Sequence, residues 1–289
     1  MHRRVKSVVC YMRVKYSAPI SKSLLRVAAV SSLLLGPVGH SAMGSPQTVS
    51  PADTMASQHV GMPVAAAHPR VIEQHLNTWR GARVIKLWRG DANSKEIALT
   101  FDDGPHPAAT VRLLDLLREL HVKATFFVVG KKVDEAPWIL PRMLVEGHEV
   151  ANHTYHHINL DNASEDTVMK EIRLGADAIH RACGVTTYSF RPPGGHHNAN
   201  VLSGAEKMNV RTFLWSDDPA DFANPGADVL EKRLIGKVTG GALVLLHDGI
   251  EQTMEILPEL IERLRRDGYR FVTVSELAAH LEAKGSGIR

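Results

Sequence analysis

Residues 97–105 read Ile-Ala-Leu-Thr-Phe-Asp-Asp-Gly-Pro, and this stretch predicts the centre of the fold. The run 97–101 is largely apolar and typical of a buried strand, which the turn pair Gly104-Pro105 then ends. Asp102 and Asp103 therefore stand at the carboxyl end of that strand. Adjacent carboxylates repel each other, so they need a cation, a shared proton or separate partners. The rest of the chain must supply those partners.

Short β-rich runs alternate with helical patterns after this stretch. Apolar residues recur at helical spacing in 110–120, 164–182 and 251–266, and Asn162 with Glu165 predicts a capping box before the second helix. Strands that alternate with helices predict an α/β fold with a parallel sheet, here a distorted (β/α) barrel of about seven parallel strands. The predicted strands are 96–101, 124–129, 148–152, 187–191, 211–216, 242–247 and 270–274.

The first 44 residues differ from the rest. They contain seven basic residues and no Asp or Glu, followed by the short apolar stretch 27–38 and then small residues. This order is typical of a secretory signal peptide, with an uncleaved N-terminal anchor as the competing interpretation. The whole chain carries 34 Lys and Arg against 31 Asp and Glu, so cleavage would leave a net charge of about −4. The basic character thus belongs to the signal, and the sequence does not predict a nucleic-acid partner.

The remaining sequence divides into three parts. Residues 45–93 form a Ser-, Pro- and Ala-rich linker and a lead-in segment, 94–283 form the compact domain, and 284–289 form a C-terminal tail. Only Cys183 would remain after cleavage, because Cys10 lies in the signal, so the mature chain has no intrachain disulfide.

Ionisable residues follow the predicted strands at their carboxyl ends. Besides the acid pair, they are His153 and His157, Arg191, Asp218 and Asp221, and His247. The carboxyl ends of parallel strands meet at one edge of a barrel, so these side chains are expected on one rim. That bias predicts a single active site.

The His153 and His157 pair predicts a metal site only in combination with the acid pair at a neighbouring strand end, because two histidines at this spacing also arise by chance in a chain with 16 histidines. On a helical turn, a spacing of four residues puts both imidazoles on one face, as a zinc site requires. Asp103 would complete a set of two imidazoles and one carboxylate. Three protein ligands leave room for water and substrate, which is typical of a catalytic metal site.

Five short motifs, in order along residues 94–282, resemble those of the polysaccharide deacetylase family, the NodB-homology domain of carbohydrate esterase family 4. They are Thr100-Phe-Asp-Asp-Gly-Pro105, His153-Thr-Tyr-His-His157, Arg191-Pro-Pro193, Asp218-Pro-Ala-Asp-Phe222 and Leu245-Leu-His247. The resemblance implies a NodB-type distorted barrel and removal of acetyl groups from a glycan.

The resemblance also implies a role for each residue. Asp102 would be the general base, with Arg191 behind it, and His247 would be the general acid, oriented by Asp221. Asp103, His153 and His157 would bind one divalent metal ion, zinc, with cobalt or another divalent ion as alternatives. The substrate-binding residues would be Pro193, Gly194, Phe222 and Leu245, the last against the acetyl methyl group.

This chain departs from the family pattern at two of those positions. Gly194 stands where the family usually has Tyr or Phe, and Phe222 replaces the usual Trp. Both changes concern the walls of the sugar groove, so we expect them to affect the choice of substrate more than the reaction.

The resulting hypothesis is an exported N-deacetylase that is periplasmic, cell-wall associated or secreted. It would act as a monomer on peptidoglycan or chitin-like glycans and release acetate, without membrane contact beyond an uncleaved N-terminal anchor. Two alternatives remain open: an O-acetyl esterase on xylan-like polysaccharide, and a non-catalytic glycan-binding module.

Overall fold

The computed structural model describes residues 86–285. The predicted signal 1–44 and most of the segment 45–93 lie outside the described residues, as do the last four positions of the predicted tail. The strands are β1 Lys86–Leu87, β2 Glu96–Gly104, β3 Thr125–Val128, β4 Glu149–Asn152, β5 Ser189–Phe190, β6 Arg211–Phe213, β7 Ala242–His247 and β8 Arg270–Phe271. The helices are α1 Ala109–Glu119, α2 Gly130–Glu135, α3 Ile139–Val145, α4 Glu165–Cys183, α5 Ala199–Lys207, α6 Ala227–Leu234, α7 Glu251–Arg266 and α8 Val274–Ala283.

The described strands form one parallel sheet that curls into a distorted barrel. Its order is β1-β6-β5-β4-β3-β2-β7, and β8 pairs with β2 beside β7. Isolated bridges join β7 back towards the opposite end of the sheet, from Ala242 to Arg89 and from Val244 to Asp217. All seven predicted strands are present, so the α/β class is confirmed.

The strand β1 lies in the segment that the sequence analysis treats as a lead-in. It pairs in parallel with β6, with Lys86 opposite Thr212 and Leu87 opposite Phe213. Two residues give no readable alternation, which explains why the pattern does not reveal this strand. The sheet therefore begins before residue 94.

The alternation of side chains along β2 explains which residues reach the site. Ile97, Leu99 and Phe101 pack outward in the main core with helices such as α1 and α7. Ala98 belongs instead to the inner cluster, which also contains Phe127, Phe213, Leu243 and residues of α8. Because side chains alternate between the faces of a strand, Asp102 shares the inward face with Ala98.

Helix α8 packs its apolar side chains against the inner cluster through Val274, Leu277, Ala278 and Leu281. It begins with a capping box of Thr273 and Glu276. The buried carboxylate of Glu149 also accepts hydrogen bonds from the Ser275 amide at 3.0 Å and hydroxyl at 2.6 Å. This packing fills the interior beneath the carboxyl ends of the strands.

The expected start of helix α4 is wrong by two residues. Ser164 is the N-cap, and its hydroxyl accepts a hydrogen bond from the amide of Thr167, so Asn162 and Glu165 form no capping box. Glu165 is already the first helical residue, which leaves it too close to the cap for that reciprocal contact. At the other end, Cys183 is the last helical residue and Gly184 follows with a positive φ. Among residues 86–285, no helix combines the length and apolar character that a membrane span needs.

Candidate active site

Asp102 and Arg191 form a buried ion pair inside the barrel. The Arg191 Nη1 atom donates to Asp102 Oδ1 at 2.7 Å, and both side chains are almost wholly removed from solvent. Three further donors of the guanidinium bind Thr100 Oγ1 and the carbonyl oxygens of Phe213 and Leu214. A guanidinium anchored by four hydrogen bonds in this position holds the carboxylate in one orientation.

Arg191 is 0% exposed, and aromatic rings surround it. Its guanidinium carbon lies 4.0 Å from the centroid of the Phe127 ring and 5.8 Å from that of Trp215. Burial lowers the pKa of Arg191, while the charge of Asp102 opposes that change. Arginine keeps its charge in such a place, so a cation faces the Asp102 carboxyl group.

Asp103 follows in the left-handed region with φ of 71°, at a bulge where the register between β2 and β3 shifts. The strand was expected to end at 101, but it continues to Gly104 with this irregularity. The bulge changes the direction in which the Asp103 side chain points. Asp103 Oδ1 lies 3.0 Å from His157 Nε2 and 3.4 Å from His153 Nε2.

The two histidines do not lie on a helical turn, contrary to the expectation from their spacing. Residues 153–157 form an irregular loop after β4, with positive φ at Thr154 and His157. The imidazoles still come together, with ring centroids 5.0 Å apart. The Thr154 hydroxyl accepts from the amide of His157 at 3.1 Å and stabilises this bend.

The three residues fit a divalent cation. One ligand atom from each of Asp103, His153 and His157 lies within 4.8 Å of the others. His153 Nδ1 donates to the carbonyl oxygen of Arg191 at 2.8 Å, which leaves a lone pair on Nε2 facing the carboxylate. Asp103 Oδ1 is itself buried with no hydrogen-bond partner among the described residues. Lone pairs that converge in this way match the donor set of a zinc site.

The charge of Asp103 also supports a cation site at Asp103, His153 and His157. Burial opposes ionisation of Asp103, but its contacts with His153 and His157 lower the pKa of this carboxyl well below its usual range. The contact with Asp103 in turn raises the pKa of His157. Asp103 is therefore a carboxylate, the form that a cation needs.

His247 and Asp221 form a second pair at the same rim. His247 Nδ1 donates to Asp221 Oδ1 at 2.6 Å, and the His247 amide donates to Asp221 Oδ2 at 2.8 Å. The Thr253 hydroxyl and the Phe222 amide also donate to this fully buried carboxylate. Burial lowers the pKa of His247, but the hydrogen bond and charge of Asp221 outweigh it and raise the pKa above its ordinary value.

Asp218 is not part of this pair. It is exposed, and its carboxylate accepts from the amide of Ala220 at 2.7 Å, which closes a turn. Of the two acids in the fourth motif, Asp221 alone contacts the histidine among the described residues.

Two predicted substrate-binding residues flank His247. The Phe222 ring lies edge-on to the imidazole with centroids 5.5 Å apart, and 57% of this side chain is exposed. Leu245 is buried, and it lies opposite Thr100 in the register between β2 and β7. The structure thus places an exposed aromatic and a buried aliphatic side chain near the His247–Asp221 pair.

The loop of Pro193 and Gly194 forms a 3₁₀ turn directly after Arg191. Gly194 is exposed with φ of 64°, while Pro193 is buried. The neighbouring Gly195 packs so closely on Trp215 that an added Cβ would lie 2.5 Å from Trp215 Cη2. An indole therefore stands beside the loop that lacks the expected aromatic residue.

Several contacting residues were not expected from the sequence. Thr100 binds Arg191, Thr253 binds Asp221, and Lys132 donates to the carbonyl oxygen of Asp103 at 2.7 Å. Thr100 lies within the first motif, two positions before Asp102, so alternation along the strand would have identified it. Lys132 and Thr253 lie on helices far along the chain and carry no such signal.

Comparison with known proteins agrees with the motifs. The family model for polysaccharide deacetylase matches residues 89–213. A peptidoglycan-N-acetylglucosamine deacetylase of Bacillus cereus is 40% identical over 195 residues, covering 66% of this chain and 91% of that protein. A chitooligosaccharide deacetylase of Bradyrhizobium sp. is 36% identical over 204 residues, covering 65% and 93%.

Solved structures give the same fold. The Bc1960 peptidoglycan N-acetylglucosamine deacetylase superposes with a TM-score of 0.65 and 33% identity, covering 68% of this chain and 93% of that one. BA3943 of Bacillus anthracis, described as a pseudoenzyme of carbohydrate esterase family 4, gives 0.65 and 30% identity, covering 69% and 70%. The expected NodB-type distorted barrel is confirmed. By sequence and fold together, the chain belongs to the polysaccharide deacetylase family of hydrolases.

Proposed function

We propose that this protein is a metal-dependent hydrolase that removes N-acetyl groups from an N-acetylated glycan and releases acetate. The observation that carries the proposal is the meeting of three groups at one rim: the Asp102–Arg191 pair, the Asp103–His153–His157 set, and the His247–Asp221 pair. Hydrolysis of an amide needs a base for water, a stabilised carbonyl oxygen and an acid for the leaving amine.

Asp103, His153 and His157 would hold one divalent ion, for which zinc suits the two imidazoles and one carboxylate, with cobalt as an alternative. When bound, such an ion polarises a carbonyl oxygen and makes water more acidic. The hydrogen bond from His153 Nδ1 to the Arg191 carbonyl fixes the ring so that Nε2 points into the set.

Asp102 would act as the general base. Arg191 occupies its Oδ1 atom, while Oδ2 lies 3.7 Å from His153 Nε2 and so faces the metal ligands. This carboxylate would take a proton from the water that attacks the acetyl carbon. The hydrogen bond from Arg191 leaves Oδ2 as the oxygen that faces this water.

His247 would act as the general acid. Asp221 binds its Nδ1 atom and leaves Nε2 free to carry the second proton. The raised pKa favours the imidazolium form of His247, which is the form that can donate this proton. As the carbon–nitrogen bond breaks, this proton would pass to the amine nitrogen, and acetate would leave as the other product.

The choice of substrate is the finer part of the proposal. The two relatives described above are a peptidoglycan-N-acetylglucosamine deacetylase and a chitooligosaccharide deacetylase, which supports N-acetylglucosamine units in peptidoglycan or chitin-like polymers. Phe222 would pack on a sugar ring, Leu245 would contact the acetyl methyl group, and Pro193 and Gly194 would border the groove.

The raised pKa of His247 favours an amide over an ester substrate. An amine is a poor leaving group without a proton, whereas an alcohol leaves more readily. Activity as an O-acetyl esterase on xylan-like polysaccharide therefore ranks second. The presence of Asp102, Asp103, His153, His157 and His247 weighs against a non-catalytic module.

We further propose that residues 1–44 direct export and that 94–283 are the catalytic domain, to which the lead-in adds strand β1, after a linker and lead-in at 45–93 and before a tail at 284–289. The basic, apolar and small-residue order of the N-terminus supports export. A periplasmic, wall-associated or secreted enzyme would meet peptidoglycan directly, and we expect a monomer.

The proposal is tested by acetate release. Purified protein loaded with zinc is incubated with peptidoglycan, chitooligosaccharides and acetylxylan, and acetate and free amine are measured. We expect acetate and an equal amount of amine from at least one N-acetylated glycan. Release from acetylxylan alone would favour the esterase, and no release from any substrate by the zinc-loaded protein would refute the hydrolase.

A further inference from the structure

A chain of polar contacts links the metal ligand Asp103 to the strand end that carries His247. Lys132 Nζ donates to the carbonyl oxygen of Asp103 at 2.7 Å and to His106 Nε2 at 2.8 Å. On the far side of the His106 ring, Nδ1 faces Asp248 Oδ1 at 3.9 Å. Asp248 directly follows His247 and is buried.

The proton on His106 can be assigned from these neighbours. An ammonium group has donors and no acceptor, so His106 Nε2 must accept from Lys132. The ring proton then lies on Nδ1, which faces the Asp248 carboxylate. His106 Nδ1 and Asp248 Oδ1 are both buried and have no hydrogen-bond partner among residues 86–285. At 3.9 Å the two atoms face each other at ion-pair distance rather than hydrogen-bond distance.

Asp248 is fixed independently of the imidazole. Its Oδ2 atom accepts from the Thr110 hydroxyl, which in turn accepts from the His106 amide. Its own amide donates to the carbonyl oxygen of Asp102 at 2.9 Å. Gly104 leaves room for this carboxylate, because an added Cβ would lie 2.2 Å from Asp248 Oδ2.

We propose that Lys132, His106 and Asp248 are positioning residues that hold Asp103 in its left-handed conformation and so set the affinity of the metal site. Non-glycine residues rarely adopt positive φ, and such a conformation persists only where surrounding contacts fix it. The Lys132 ammonium binds the carbonyl oxygen of Asp103, while the backbone amide of Asp248 binds the carbonyl oxygen of Asp102. The inference rests on the proposed metal site and extends it to residues that contact neither metal nor substrate.

The test measures zinc affinity by competition with a chromophoric chelator, using purified protein stripped of metal. Lys132→Met keeps the length of the side chain and removes the donors, and we expect zinc affinity to fall about 10- to 100-fold. Lys131→Met is the matched control, because Lys131 is an exposed neighbour on the same helix. Lys132→Arg should recover part of the loss.

A double-mutant cycle separates positioning from general destabilisation. Asp248→Asn removes the charge that faces His106 while keeping an acceptor for Thr110, and thermal melting without metal shows whether each variant folds. Because the Asp248 side chain reaches Asp103 only through His106 and Lys132, the combined loss of affinity in Lys132→Met with Asp248→Asn should be smaller than the product of the single losses. We also expect kcat to fall with little change in KM.

Three results would overturn the inference. Lys132→Met that binds zinc as tightly as Lys131→Met would remove Lys132 from any positioning role. Independent, multiplicative losses in the cycle would disprove the link through His106. A wild-type protein that binds no zinc would refute the metal site and the inference together, and only this outcome touches the proposed function.

Discussion

Asp102 and His247 are register partners on the adjacent parallel strands β2 and β7. Directly paired residues project to the same face of a sheet, so this register brings the proposed base and the proposed acid to one side of the barrel. Each is then held by a different partner, Arg191 for the base and Asp221 for the acid. The two partners carry opposite charges, and the carboxylate of Asp221 raises the pKa of His247.

Mutations in the site should separate the loss of proton transfer from the loss of metal binding. Asp102→Asn should retain zinc and lose about 10²- to 10⁴-fold in kcat, because the base is lost while the three ligands remain. His153→Ala should lose both zinc and activity. Metal content measured beside steady-state kinetics checks this, and an Asp102→Asn protein with wild-type kcat would remove Asp102 from the role of base.

The alkaline limit of activity should depend on Asp221. The raised pKa of His247 means that the imidazolium persists above the ordinary histidine range and is lost as the pH rises further. Asp221→Asn removes the charge that raises this pKa, so the alkaline limb of the profile of kcat against pH should move to lower pH. The profile of kcat against pH is measured for wild type and Asp221→Asn under zinc saturation. An alkaline limb at the same pH in both proteins would contradict the role of His247 as the general acid.

Breaking the buried ion pair should destabilise the fold. Arg191→Met leaves the Asp102 carboxylate buried without its partner, which costs about 3–5 kcal/mol in comparable cases. Urea unfolding of the metal-free protein measures the change. Arg112→Met is the control, because Arg112 pairs with Glu251 in solvent, and we expect it to leave the transition nearly unchanged.

Zinc should stabilise the folded protein. A ligand that binds only the native state at 100 times its Kd adds about 2.7 kcal/mol to the free energy of unfolding. We expect a chelator to lower the melting temperature and abolish activity, and zinc or cobalt to restore both. His157→Ala should melt at the same temperature with and without zinc, and a zinc-dependent shift in that variant would argue against the ligand set.

Phe222 should determine substrate affinity. Phe222→Ala removes an exposed ring beside His247, and aromatic packing of about 0.5–1.5 kcal/mol corresponds to a KM about 2- to 10-fold higher for glycan oligomers. Phe222→Trp should lower KM. Trp138→Ala is the control, since Trp138 is 58% exposed at the start of helix α3 rather than in the site. Equal effects of the two alanine variants would indicate a nonspecific change.

Much of the site could be predicted from the sequence because it depends on local periodicity. Strands that alternate with helices predicted the parallel sheet, and ionisable residues after several of those strands predicted the rim where they meet. In the fourth motif, the resemblance implied that Asp221 orients His247, and in the structure Asp221 contacts His247 while Asp218 closes a turn. Such inferences are dependable because they use residues close together in the sequence and the fixed alternation of side chains along a strand.

Other features were decided only by the tertiary structure. The positive φ of Asp103, the irregular loop of His153 and His157, and the two-residue strand β1 follow from contacts with distant segments. Lys132 lies 29 residues from Asp103, and Arg191 meets Asp102 across 89 residues. The sequence by itself determined which side chains stand at the strand ends. Packing determined the angle at which they meet, because a conformation that costs energy locally persists only where remote contacts fix it.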